Sequence, residues 1–92
     1  MKVERISGVI LTGHKCDALE VPLDPGAKWD MAAQQIGPGR RGYRVACRVE
    51  ALQFDSCIVA RSKKFWLLLS PEIEQRLSVK AGDTVRLSLE PA

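Results

Sequence analysis

The chain has 92 residues, of which 46% are hydrophobic and 27% charged, with a net charge of +3. That is room for one domain spanning residues 1–92, and the apolar share is too high for wholesale disorder. No stretch approaches the roughly 20 apolar residues that span a bilayer as a helix, which excludes that kind of membrane anchor.

A chain this short hides only about two-thirds of its unfolded surface on folding. Its core is therefore thin, and both a monomer and a homodimer fit that size. Met1–Arg5 lacks the charged-then-apolar layout of a secretory signal, so a cytoplasmic protein that avoids membranes is expected. Three cysteines (Cys16, Cys47 and Cys57) and one histidine (His14) give neither a disulfide framework nor metal-ligand spacing. No metal and no cofactor is expected on that ground.

Val3 to Leu11 mixes aliphatic and polar residues and stops at Thr12-Gly13, which reads as a strand with Gly8 inside it. Ala18 to Leu23 is a second short strand, with Pro22 near its exit. Asp24-Pro25-Gly26 opens a long connection that runs to Gly42. Within it, Trp29, Ala32, Ala33 and Ile36 fall at helical spacing, so the pattern predicts a short helix over Trp29–Ile36.

Tyr43 to Glu50 is the clearest strand. Tyr43, Val45, Cys47 and Val49 alternate with Arg44, Ala46, Arg48 and Glu50, one face buried and one wet. A partner strand, Phe54 to Ala60, follows a tight turn. A two-residue turn at Ala51-Leu52 places Cys47 opposite Ser56, whereas a three-residue turn through Gln53 places it opposite Cys57. Both thiols read as small core residues.

The basic turn Arg61-Ser62-Lys63-Lys64 leads to a third strand, Phe65 to Leu69, which completes an antiparallel meander. Ser70-Pro71-Glu72 carries the chemistry of a helix start: a capping hydroxyl, a proline fitted to the first position and an acid at the positive end of the dipole. Thr84 to Leu89 is a last strand. Some six strands and one or two short helices in so short a chain predict a mainly β fold, a closed or nearly closed barrel that hides its edges.

The order of these features resembles a bacterial family labelled domain of unknown function nineteen-oh-five. The residues that carry the resemblance are Val21-Pro22, Gly39-Arg40-Arg41-Gly42 before the Tyr43 strand, Trp66-Leu67-Leu68-Leu69, and the closing Ala81-Gly82-Asp83-Thr84-Val85. It extends over nearly the whole chain. The family commonly has glycine where Ala51 stands here. The resemblance implies a double-split β-barrel, an architecture similar to dimeric swapped-hairpin DNA-binding regulators, and no established activity.

Charge is unevenly spread. Arg40, Arg41, Arg44, Arg48, Arg61, Lys63 and Lys64 face only Glu50 and Asp55 over residues 40–64, a net +5, while the segments on either side are each −1. Guanidinium groups along a β-surface match phosphate oxygens, so these seven residues are the candidate surface for nucleic acid or another polyanion. The plain alternative is a solvated face that keeps the protein in solution.

Gly37-Pro38-Gly39-Arg40-Arg41-Gly42 is not a P-loop, since it lacks the Gly-Lys-Ser/Thr ending and leads into a strand. His14 and Cys16 flank a turn and have no third group to orient them. Glu72 and Glu74 fall on different faces of a short helix. No catalytic constellation stands out, and a non-enzymatic binding module for a polyanion or a protein partner is expected. Trp29, Phe54 and Trp66 are the candidate contacts for a small ligand at the barrel mouth.

Overall fold

The computed structural model describes residues 3–12 and 16–92. The elements run in the order β1 (Glu4–Leu11), β2 (Asp17–Val21), α1 (Pro25–Trp29), β3 (Gln34–Gly37), β4 (Arg40–Val49), β5 (Leu52–Arg61), β6 (Lys64–Leu69), α2 (Pro71–Leu77) and β7 (Thr84–Pro91). All pairings are antiparallel. Six strands close in the order β4-β5-β6-β2-β1-β7, with β7 returning to β4, and β3 adds to the free part of β4. The expected small β-barrel is thus present, and a single chain completes it.

Alternation decides what fills the barrel. Val45 and Cys47 of β4, Phe54 and Ile58 of β5, Leu67 and Leu69 of β6, and Val85, Leu87 and Leu89 of β7 all point inward and are buried. Most intervening residues face outward, although Ala18 of β2 and Val59 of β5 are buried on that parity as well.

The turns differ from the expected ones. The β4–β5 loop is Glu50-Ala51, with Val49 opposite Leu52, Cys47 opposite Phe54 and Arg44 opposite Cys57. Neither register expected from the sequence occurs. This register turns Phe54 and Ile58 inward beside Val45 and Cys47, and a one-residue slip would move that whole set to the outer face. It leaves Cys57 on the outside, half-buried, so only Cys47 is a core residue. The β5–β6 loop is Ser62-Lys63, both at positive φ (54° and 62°), as a tight hairpin with right-handed twist requires.

The first helix also lies elsewhere than its apolar spacing suggests. Asp24 accepts hydrogen bonds from the amides of Gly26 (2.9 Å) and Ala27 (3.4 Å), Pro25 occupies the first turn, and Asp30 ends the helix at φ 54°. Start and stop chemistry therefore outweighs periodicity, and Trp29 closes a helix instead of opening one. Gln34 to Gly37, expected to be partly helical, is a strand paired with β4. The second helix begins as expected, with Ser70 Oγ accepting from the Ile73 amide at 3.2 Å.

The two helices cover opposite ends of the barrel. α1 follows the end of β2, and its Lys28 reaches Glu4 at the start of β1 (2.7 Å). α2 follows the end of β6, and its Arg76 donates to the Gln53 carbonyl at the start of β5 (3.2 Å). Ile73 and Leu77 pack against the core from that side.

Gly42 is where β3 crosses the outer face. A Cβ there would lie 2.7 Å from the Ile58 carbonyl oxygen and 2.9 Å from Ile36 Cδ1. Gly42→Ala should therefore cost about 2 kcal/mol by forcing β3 off the barrel. Gly37→Ala, whose Cβ would meet nothing closer than 3.9 Å, should cost far less. Thermal denaturation of the two variants checks the difference.

Candidate anion-binding site

The seven basic residues expected to form one surface lie on the neighbouring strands β4, β5 and β6 and in the β5–β6 turn. Arg40 and Arg41 belong to the β3–β4 hairpin, where Arg41 Nη2 donates to the Ala33 carbonyl at 3.0 Å. Arg61 and Lys64 face each other across the β5–β6 hairpin and Lys63 lies in its turn. Lys64 is 3.6 Å from Glu20. Arg44 and Arg48 do share the outer face of β4. Between them, however, Ala46 is flanked by Asp55 of β5 and Glu90 of β7, and this acidic row divides the positive surface.

Barrel closure builds a different cluster around Arg48. Arg48 lies opposite Ser88 of β7, and Ser88 lies opposite Arg5 of β1, so the three form one row across three strands. Arg86, two residues before Ser88 and opposite Ser7, completes a triangle on the same outer face. With strands about 4.8 Å apart and about 6.6 Å between successive outward residues, the arginine Cα atoms stand roughly 8–10 Å from one another. Extended guanidinium arms cover that span.

Arg5, Ser7, Arg48, Glu50, Arg86 and Ser88 are the polar lining of an open depression of about 610 Å³. A second depression of about 540 Å³ adjoins it and shares Arg5, Arg48 and Ser88. Among the described residues, none of the three arginines forms a salt bridge. Three unpaired guanidinium groups, two hydroxyls and one carboxylate thus face solvent together. Such an arrangement can hold a phosphate-sized anion by charge-assisted, forked hydrogen bonds. No aromatic side chain lines either depression, so neither offers a ring on which a base could stack.

Arg5 and Arg86 were not singled out by the sequence reading. Their signal was the polar parity of the first and last strands, Arg5 and Ser7 alternating with Ile6, Arg86 and Ser88 alternating with Leu87. What brings them to Arg48 is the pairing of chain segments far apart in sequence.

Trp29, Phe54 and Trp66 do not share a barrel mouth. Trp29 is buried under α1 at one end, at 4% exposure. Phe54 points inward near the end that α2 covers, and Trp66 lies on the outward parity of β6, opposite Val59 and Glu20. Strand alternation and the antiparallel order separate the three. Side chains fill the interior: Ile10, Leu19, Val45, Ile58, Leu67, Leu69 and Leu89 are at most 1% exposed.

His14 lies outside the described residues, and Cys16 is half-buried. Among the described residues no group of three or more His, Cys, Asp or Glu is placed to hold a metal ion. The two cysteines of the meander lie on opposite faces. Burial, then Asp55 and Cys57, push the Cys47 thiol up to about 12. Burial also raises Cys57, against the lowering effect of Arg44 across the ladder. Glu74 of α2, by contrast, meets Asp17 of β2, a pairing the sequence did not reveal. Burial first, and then a hydrogen bond and repulsion from Asp17, raise its carboxyl above the ordinary 4.5.

A closed antiparallel barrel with covered ends defines the class as a small β-barrel domain. Residues 10–89 match the family described as Domain of unknown function (DUF1905), and the chain belongs to that family. No curated protein matches the chain. No helix among the described residues is long and apolar enough to cross a membrane.

Two measurements check the titratable groups. A raised carboxyl pKa in the folded state weakens the fold above that pKa, and the penalty fades as pH falls to the ordinary value. Glu74→Gln should therefore stabilise the protein at pH 7 and be neutral near pH 4 in thermal melts. Cys47 should resist a thiol-disulfide reagent at pH 8 in the folded protein and react only after denaturation.

Proposed function

We propose that the protein is a non-catalytic binding module for phosphate-bearing polyanions. It would hold their backbone on the outer face of β1, β7 and β4 through Arg5, Arg48 and Arg86. The observation that carries this reading is the meeting around Ser88, in one open depression, of three guanidinium groups that form no salt bridge among the described residues. Nucleic acid is the natural partner of such a surface, because successive backbone phosphates fall at spacings that arginines on neighbouring strands can reach. The lining offers no stacking platform, so recognition is of backbone and not of base sequence.

Fluorescence anisotropy with a labelled single-stranded oligonucleotide tests the proposal. Binding should weaken with salt with a log–log slope near about −2, the value for three phosphate contacts on a single strand. Arg48→Ala combined with Arg86→Ala should lower affinity about tenfold or more and flatten that slope. Arg61→Ala combined with Lys63→Ala, beyond the acidic row, should change it much less. Equal affinity for wild type and the Arg48/Arg86 variant would rule the site out.

A further inference from the structure

The depression contains one residue that a simple phosphate site would exclude. Glu50 lines it together with Arg5, Arg48 and Arg86. It is the first residue of the two-residue β4–β5 turn, held at φ 54°, two residues beyond Arg48, whose partner on β7 is Ser88. Its side chain is exposed, and among the described residues it forms a salt bridge with none of the arginines beside it. A carboxylate so placed repels phosphate and can only accept hydrogen bonds.

A bound ligand offsets that repulsion only if it brings a donor next to its phosphate. The backbone of DNA has none, since its phosphate, ester and ring oxygens are all acceptors. The ribose of RNA adds a single donor, the 2′-hydroxyl, on the carbon adjacent to the one that carries the 3′-phosphate. Glu50 stands two residues, roughly 6–7 Å, beyond Arg48 and lines the same depression as Arg86, which suits that adjacency. The depression spans roughly 10 Å, about the width of one strand's backbone.

The geometry points to single-stranded RNA as the ligand of this site, with phosphates on Arg48 and Arg86 and the ribose 2′-hydroxyl donating to Glu50. This rests on the phosphate-binding reading above and adds selection against DNA.

The test is anisotropy with labelled oligouridylate and oligodeoxyuridylate of equal length, which differ only in the 2′-hydroxyl. Wild type should bind the ribo-oligomer about tenfold more tightly, the effect of a hydrogen bond to a charged group. Glu50→Ala, which removes both the charge and the acceptor, should bring the ratio close to one. Arg86→Ala should weaken both. Equal binding of both oligomers to wild type would overturn ribose selection and leave the phosphate site standing. A ratio unchanged in Glu50→Ala would overturn the role of Glu50, and binding of neither oligomer would overturn the phosphate site itself.

Discussion

The pairing of β7 with β4 is the constraint on which the rest of the structure depends. Residues 45–48 take up the last strand at residues 88–91, and the same strand pairs along its other edge with β1. Without that ladder the sheet is an open ribbon with two exposed edges and a half-covered hydrophobic face. With it, Leu87 and Leu89 turn inward against Val45 and Cys47, and the thin core of a short chain becomes continuous. The outer face of the same ladder carries Arg48, Ser88, Arg86 and Arg5. Core and candidate site are therefore two sides of one set of backbone hydrogen bonds.

Much of this was legible in the sequence, and the limits are physical. Period-two alternation in Tyr43–Glu50 and Thr84–Leu89 is a local property, and both strands occur as the pattern predicts. Ser70-Pro71 is likewise local chemistry, and α2 starts there. The region between Leu23 and Gly42 was harder. Trp29 and Ile36 lie at helical spacing, but the capping oxygen of Asp24 starts the helix early and Asp30 stops it at Trp29. The residues that follow gain more by hydrogen bonding to β4. The β4–β5 turn failed for a related reason, since the inward placement of Phe54 and Ile58 chooses the register and the turn residues adapt to it.

The candidate site shows the same division. Composition located the excess of positive charge between residues 40 and 64, and Arg48 is part of the cluster. Yet linear charge density placed Arg44 and Arg48 together when Asp55 and Glu90 separate them. It missed Arg5 and Arg86, which lie in segments of net negative charge. Whether two arginines meet depends on strand pairing over most of the chain length, and no local count contains that information. Glu74 and Asp17 are a second instance, two acids brought together by the packing of α2 over the end of the barrel.

Strand alternation has a further consequence. With side chains filling the interior and helices covering both ends, most strands give alternate residues to packing and to solvent, with Ala18 and Val59 buried on the outer parity. Where the outer parity is exposed the two halves are nearly independent, because exchanging such a side chain removes no core contact. The barrel can thus act as a fixed frame whose exterior is rewritten one position at a time. In such a frame a single turn residue, held by backbone geometry at the rim of a cationic surface, can change what the surface accepts while the architecture beneath it stays the same.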